Sequence, residues 1–329
     1  MKKGRQKGGL FRPFVLIIFS VLLIAPSFCK AEKEFLLPGK LYPSLCICFP
    51  NNKEGWIAGH FGMIWHTDDG GKSWKIQESG TRKNIVDMYF VDTKNGWAVG
   101  YGGLILHTSD GKRWEKQKSP LPYFWKSVFF KDKLHGWIVG EMGTVLYTED
   151  GGKNWKVLIT GDDLVFHSIA FSPEGYGWAA GEFGVIYAYD LKKWYLEDNG
   201  IAAEENTIWS IACIGKERIV ASGIASLLLI KEGYTGRWKR IRVLEKYHGQ
   251  NSLFRILKFK DKIITFGMKS IYYSKDPYGP WKKARLPLKL PYGEWLYDCW
   301  NNGKRVWILG IKGTILYSDD GVVWKTIGE

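Results

Sequence analysis

The chain has 329 residues, 45% of them hydrophobic and 16% aromatic, with a formal net charge of +14. It is not low-complexity, it has no Pro/Ser-rich internal linker, and it lacks the Cys/His spacing of a zinc site, so neither a disordered tether nor a zinc module is in view.

The first element is a leader. Lys2, Lys3, Arg5, Lys7 and Arg12 precede an apolar run from Phe14 to Ala25. That run falls short of the roughly 20 residues that span a bilayer, and a basic start with a short apolar stretch reads as a secretory signal over residues 1–31. Cleavage after Ala31, lipidation at Cys29 and a retained anchor are the three possible fates. Without the leader the chain carries 41 basic and 33 acidic residues. Lys231–Lys289 alone holds 16 basic and 4 acidic ones, so the charge is concentrated in one sector. Such a sector points to a partner or an anionic surface. Export removes the protein from nucleic acid, which disfavours that partner.

Residues 32–329 repeat with a period near 40. A Gly-Trp marker followed by glycine occurs at Gly55–Gly59, Gly96–Gly100, Gly136–Gly140 and Gly177–Gly181, with variants at Val220–Gly223, Ile264–Gly267 and Val306–Gly310. A second tryptophan follows each: Trp74, Trp114, Trp155, Trp194, Trp238, Trp281 and Trp324, spaced by 40, 41, 39, 44, 43 and 43 residues. This predicts an all-β, seven-bladed β-propeller of four-stranded antiparallel blades, at about 42–79, 81–119, 123–161, 164–200, 206–246, 250–289 and 293–329.

Within a blade, Asn84–Val91 reads as the inner strand, Gly96–Gly100 and Leu104–Thr108 as the middle strands and Trp114–Lys118 as the outer one. The turn before the outer strand has the pattern T-x-D-x-G-x-x-W at Thr67/Asp69/Gly71/Trp74 and Thr148/Asp150/Gly152/Trp155. Shorter forms occur at Thr108/Asp110/Trp114 and Ser318/Asp320/Trp324. These look like Asp-boxes, the hairpin motif of sialidases and several binding propellers. Their carboxylates are expected to hold turn backbone, and their indoles to pack between sheets.

The whole repeat, GWxxGxxGxIxxTxDGGxxW, resembles the photosystem II stability/assembly factor family, built of BNR-type repeats, whose wider relatives include proteins of non-photosynthetic bacteria. The resemblance implies an exported, non-enzymatic scaffold that binds a protein, in that family a membrane-protein intermediate, with no cofactor and no metal.

Propellers bind on faces where loops converge. The face formed by the second-to-third-strand turns and the interblade loops carries Tyr101, Trp125, Lys269 and Lys312. The basic sector adds Arg237, Arg240, Arg242, Arg255, Lys283 and Arg285. These ten are the expected partner-binding residues, for a membrane protein or an anionic membrane surface. The alternative is a periplasmic glycoside hydrolase that uses Glu141 and Glu182, equivalent positions in adjacent blades. A sialidase fits poorly: FRIL at Phe254–Leu257 only faintly echoes its arginine motif, and blades 1–4 supply just Arg82 and Arg113.

Two structural questions stay open in the sequence. Cys46, Cys48, Cys213 and Cys299 are either buried thiols or partners in a bridge such as Cys48–Cys299. The last blade is closed either by the C-terminal Trp324–Glu329 or with help from Glu34–Gly39, and pairing there removes an exposed edge.

Overall fold

The computed structural model describes residues 44–200, 206–215, 217–242, 252–268, 270–287 and 295–327. They form the expected seven-bladed propeller, each blade an antiparallel sheet of four consecutive strands. Blade 1 comprises Ser44–Cys48, Gly55–Gly59, Ile64–Thr67 and Lys75–Gln77. Blade 2 comprises Ile85–Phe90, Gly96–Gly100, Leu104–Thr108 and Glu115–Lys116. The inner strands of blades 3–7 are Trp125–Phe130, Phe166–Phe171, Ile208–Gly215, Leu253–Phe259 and Leu296–Asn301.

The Gly-Trp marker is explained by the seams between blades. Phe49, Phe90, Phe130 and Phe171 stand at the ends of the first four inner strands, each six residues before a marker glycine. A Cβ added to Gly55, Gly96, Gly136 or Gly177 would lie 2.3–2.5 Å from that ring, so only glycine admits it. The other face of each ring receives the marker tryptophan of the preceding blade. Centroid distances are 4.3 Å for Trp307–Phe49, 4.1 Å for Trp56–Phe90, 3.5 Å for Trp97–Phe130 and 4.2 Å for Trp137–Phe171. The outer-strand tryptophans Trp74, Trp114, Trp155 and Trp194 meet the same phenylalanines edge-on at 5.8–6.1 Å. Both geometries suit the ring quadrupole. Blades 5 and 6 put Ile219-Val220 and Ile263-Ile264 at the marker, and their shared seam is filled mainly by aliphatic side chains, with Tyr272 among them and Trp281 against them.

Polar plugs finish several seams at the outer edge. Gln77 accepts from Trp56 Nε1 at 3.2 Å and Trp114 Nε1 at 3.0 Å, and donates to the Gly111 carbonyl. Gln117 donates to the Gly151 carbonyl, which also accepts from Trp97 Nε1 at 3.0 Å. In blade 4 the same position is Glu197, which accepts from Trp238 Nε1 at 2.8 Å and is ion-paired with the buried Lys231. Lys231 occupies the place that threonine holds in the T-x-D turns, facing Ile219 as Thr67 faces Gly55.

The T-x-D turns are bonded as local turn chemistry requires. Thr67 Oγ1 donates to Asp69 at 2.8 Å and accepts from Gly71 N, while Asp69 accepts from the Ser73 backbone and hydroxyl. Thr148, Asp150, Gly152 and Asn154 repeat this pattern. Burial raises the Asp69 pKa, but the donors from Ser73 and Thr67 outweigh it and hold it at about 2. The backbone N–H of Asn154 is the largest influence on Asp150, also at about 2.

The last blade is completed by Lys325–Thr326, so the C-terminal strand supplies its outer edge. The leader and Glu34–Gly39 lie outside the described residues. Cys46, Cys48, Cys213 and Cys299 are all free thiols, so no Cys48–Cys299 bridge is present.

Candidate functional site at the channel mouth

Every inner strand is bulged near its start. The register breaks between Ser44 and Cys46, Ile85 and Asp87, Phe166 and Ser168, Ile208 and Ser210, Leu253 and Arg255, and Leu296 and Asp298. In blade 3 it breaks opposite Val139 and Gly140. A bulge re-aims one side chain. Here the extra residues, Leu45, Val86, Lys126, His167, Trp209, Phe254 and Tyr297, all line one cavity of about 310 Å³ at the mouth of the central channel. His60, Asn84, Tyr101 and Phe124 form its rim.

One residue further along each strand, a belt of polar side chains ties neighbouring blades together. Asp87 accepts from Val128 N at 2.8 Å, Ser168 from Ile211 N at 3.2 Å, Ser210 from Ile256 N at 3.2 Å and Asp298 from Ile47 N at 2.8 Å. Arg255 donates to Asp298 at 3.0 Å, so Asp298 links blades 6, 7 and 1. Burial, then repulsion from Asp298, push Asp87 up to about 6 against the pull of Arg255. Burial opposes the charge on Arg255, yet Asp298 and Asp87 keep it firmly protonated.

The cavity is aromatic and cationic in character. His167 stacks obliquely on Trp209 at 4.5 Å, and Phe254 meets both Trp209 and Trp295, making an arc across blades 4–7. On the opposite side Tyr101 stacks on Phe124 at 4.1 Å, with Lys126 Nζ 5.4 Å from the Phe124 centroid. Burial, then Lys126 and Arg255, depress the His167 pKa to about 3, leaving a neutral imidazole. Both His167 ring nitrogens are buried and have no hydrogen-bond partner among the described residues.

The structure distributes the expected partner-binding residues over several places. Tyr101 is at the rim, about half exposed. Lys312 is exposed at the tip of its turn. Trp125 is a correction: it is fully buried in the core with Val99 and Ile105, and its Nε1 donates to Ser119. The bulge at Lys126 turns the neighbouring Trp125 toward the seam. Arg255 is also internal, in the channel and committed to Asp298, rather than part of a surface patch. Arg237, Arg240, Lys283 and Arg285 are exposed on or beside the outer strands of blades 5 and 6, at the circumference of the disc. Lys269 and the Arg242 side chain lie outside the described residues.

Glu141 and Glu182 begin equivalent 3-10 turns. Each closes a clamp on the interblade loop that leads into its own blade: Glu141 Oε2 accepts from Phe124 N, and Glu182 Oε2 from Val165 N, both at 2.9 Å. The backbone N–H groups of the same residues donate to the Phe124 and Val165 carbonyls. This is structural capping, and it engages both carboxylates of the hydrolase alternative. The bulge positions were missed from sequence; their only signal is the offset of polar residues such as Asp87, Ser168 and Asp298 within otherwise alternating strands.

Fold and site define a seven-bladed β-propeller with BNR-type repeats and a loop-lined cavity at its channel mouth. The family described as Photosynthesis system II assembly factor YCF48 matches residues 73–165 and 112–195, so the repeats from the outer strand of blade 1 through blade 4 are photosystem II assembly factor-like. A structure of YCF48 bound to D1 peptide superposes with a TM-score of 0.70 at 18% identity, covering 85% of this chain and 92% of that one. YCF48 from Cyanidioschyzon merolae gives 0.68 at 20% identity, over 88% and 98%. Virginiamycin B lyase from Staphylococcus aureus gives 0.71 at 10% identity, over 86% and 97%, so the architecture alone also houses an enzyme. Comparison with curated protein sequences returns no match.

Proposed function

We propose that this chain is an exported, non-enzymatic scaffold that binds a protein partner at the channel mouth, as an assembly or stability factor for a membrane protein complex. The observation that carries the reading is the convergence of one bulged side chain per blade on a single aromatic cavity, which includes a His167 that has no hydrogen-bond partner among the described residues. The repeats of the assembly-factor family, and the peptide complex of a protein sharing this fold, support it.

The rim has the chemistry of a protein interface. Phe61 and Phe183 project beside the cavity with about half their surface exposed, and both are held at positive φ in their turns. The same conformation recurs at Gly102, Met142, Ala225 and Lys312, so the turn is common to the repeat and the choice of residue at its tip is free for display. Exposed aromatics around a concave centre are the usual anchors of binding sites. Arg237, Arg240 and Lys283 at the circumference would face acidic partner loops or anionic lipid, with the protein in the periplasm or a comparable lumen.

The test is capture from detergent-solubilised membranes by the chain lacking residues 1–31. Retention of a membrane protein by this form, and its loss with Phe61→Gly/Phe183→Gly or Lys126→Glu, is the expected result. Equal retention by all three forms overturns the channel-mouth assignment.

A further inference from the structure

The opposite face carries a second feature. Between blades 3 and 4 the Trp–Phe–Trp arrangement is present but uncovered. Trp137 and Phe171 are partly exposed, whereas Trp56, Trp97 and Trp307 are fully buried. Trp137 also lies 35° off parallel to Phe171, against 4–18° in the other three stacks.

Two local changes open this seam. The plug position, Gln77 in blade 1 and Gln117 in blade 2, is Leu158 in blade 3, and Leu158 is 44% exposed. The turn that should cover it is also short. Blade 3 has six residues between Thr148 and Trp155, but blade 4 has only four between Tyr189 and Trp194. The turn carbonyl equivalent to Gly151, which receives Trp97 Nε1 and Gln117, is therefore gone. An aliphatic plug alone does not open a seam: Ile327 packs on Gly71 between blades 7 and 1, and Trp307 stays buried there.

The result is a groove rather than a scar. A cavity of about 810 Å³ lies at the channel end, and one of about 460 Å³ continues toward the rim; Trp137, Tyr147 and Tyr189 line both. Trp137 Nε1 has no acceptor among the described residues, and Trp194 Nε1 is buried without one. Other indoles also lack acceptors among the described residues, but Trp65, Trp155, Trp178, Trp307 and Trp324 are buried in the core, and Trp209 and Trp300 lie away from this seam.

Charge identifies the occupant. Lys131, Lys192, Lys193 and Lys258 border the two cavities, and none forms an ion pair among the described residues. The nearby acids are engaged: Asp132 with His135, Glu174 with Tyr234, and Asp190 with the Lys192 and Lys193 backbone. We propose that this seam docks an extended acidic segment of a partner protein, whose carboxylate or carbonyl oxygens occupy the place of the missing plug. Aromatic walls take the apolar side chains, the indole N–H of the partly exposed Trp137 takes an oxygen, and the lysines take the charge. A neutral glycan would use the rings but leave the lysines without a role.

The experiment follows the indole N–H resonances of Trp137 and Trp194 in ¹⁵N-labelled protein, assigned with Trp137→Phe and Trp194→Phe. Three probes are titrated: randomised octapeptides with two fixed glutamates, the same pool with two fixed lysines, and cellohexaose. The glutamate pool should shift both resonances saturably, and Lys192→Glu/Lys193→Glu should weaken this at least tenfold while melting as the parent does. The proposal is overturned if the glutamate pool shifts neither resonance, if cellohexaose or the lysine pool shifts them equally, or if the charge-reversed protein binds undiminished.

Discussion

Trp307 of the last blade lies flat on Phe49 of the first, with centroids 4.3 Å apart and planes 4° from parallel. The joint that closes the ring therefore uses the same stack as the joints between blades 1 and 2, 2 and 3, and 3 and 4. Truncating a buried aromatic typically costs about 3–5 kcal/mol. Phe49→Ala is expected to lower the unfolding free energy measured in urea by an amount in that range, and Gly55→Ala by about 1–3 kcal/mol because its Cβ would stand 2.3 Å from the Phe49 ring. Unchanged unfolding free energies would show that the ring does not depend on this stack.

The pair Lys231–Glu197 offers a second test. Breaking one side of a buried ion pair costs about 3–5 kcal/mol, whereas an uncharged replacement of both is often neutral. Lys231→Thr alone should be strongly destabilising. Lys231→Thr with Glu197→Gln restores the residues that blades 1 and 2 use at these places, and should recover most of the loss. A double-mutant cycle in urea measures it; simple additivity of the two losses would contradict the pairing.

Asp87 makes stability depend on pH. Its folded pKa of about 6 lies above the ordinary carboxylate value of about 3.9, because burial and Asp298 disfavour its charge. The folded state thus holds this proton more tightly than the unfolded chain. The stabilising contribution is complete below about pH 3.9 and is lost as pH rises through about 6. Asp87→Asn should exceed the parent in stability at pH 7.5, on the order of 1 kcal/mol, and match it near pH 4. A constant difference at both pH values would contradict the shifted carboxyl.

His167 acts in the opposite sense. Its pKa falls from about 6.5 to about 3 through burial and the neighbouring Lys126 and Arg255. Its contribution is full above about pH 6.5 and is lost as pH falls toward 3. NMR of the imidazole should find it still neutral at pH 5, and a midpoint near 6.5 would show it to be solvated and charged.

Phe61→Gly/Phe183→Gly separates display from stability. Glycine relieves the positive φ but gains freedom in the unfolded chain, so the melt should shift by no more than about 1 kcal/mol. Partner capture should nevertheless fall. A large loss of stability would assign these rings to the fold instead.

The sequence displays the marker and outer tryptophans because each recurs at a fixed interval and is chemically conspicuous. Their third partner, Phe49 and its equivalents, keeps an equally fixed offset of six residues from the marker glycine, yet phenylalanine is common enough in strands to pass unnoticed. The cavity was harder to see. A bulge leaves no residue type behind; it changes only which neighbour a residue faces. Trp125 and Phe124 therefore exchanged roles, and Arg255, grouped with surface arginines by its neighbours in the chain, belongs to the channel belt. The open seam depends on a turn shorter by two residues, which a period count absorbs as ordinary variation.

The described blades exchange no strand with one another. The covalent path around the disc is thus interchangeable at its joints: a chain started at the loop before Ile85, with the original ends linked, would meet the same set of stacked rings. Such a permuted protein should fold, and the seam where Trp307 meets Phe49 would then be bridged by a peptide linker while another stood open to breathing.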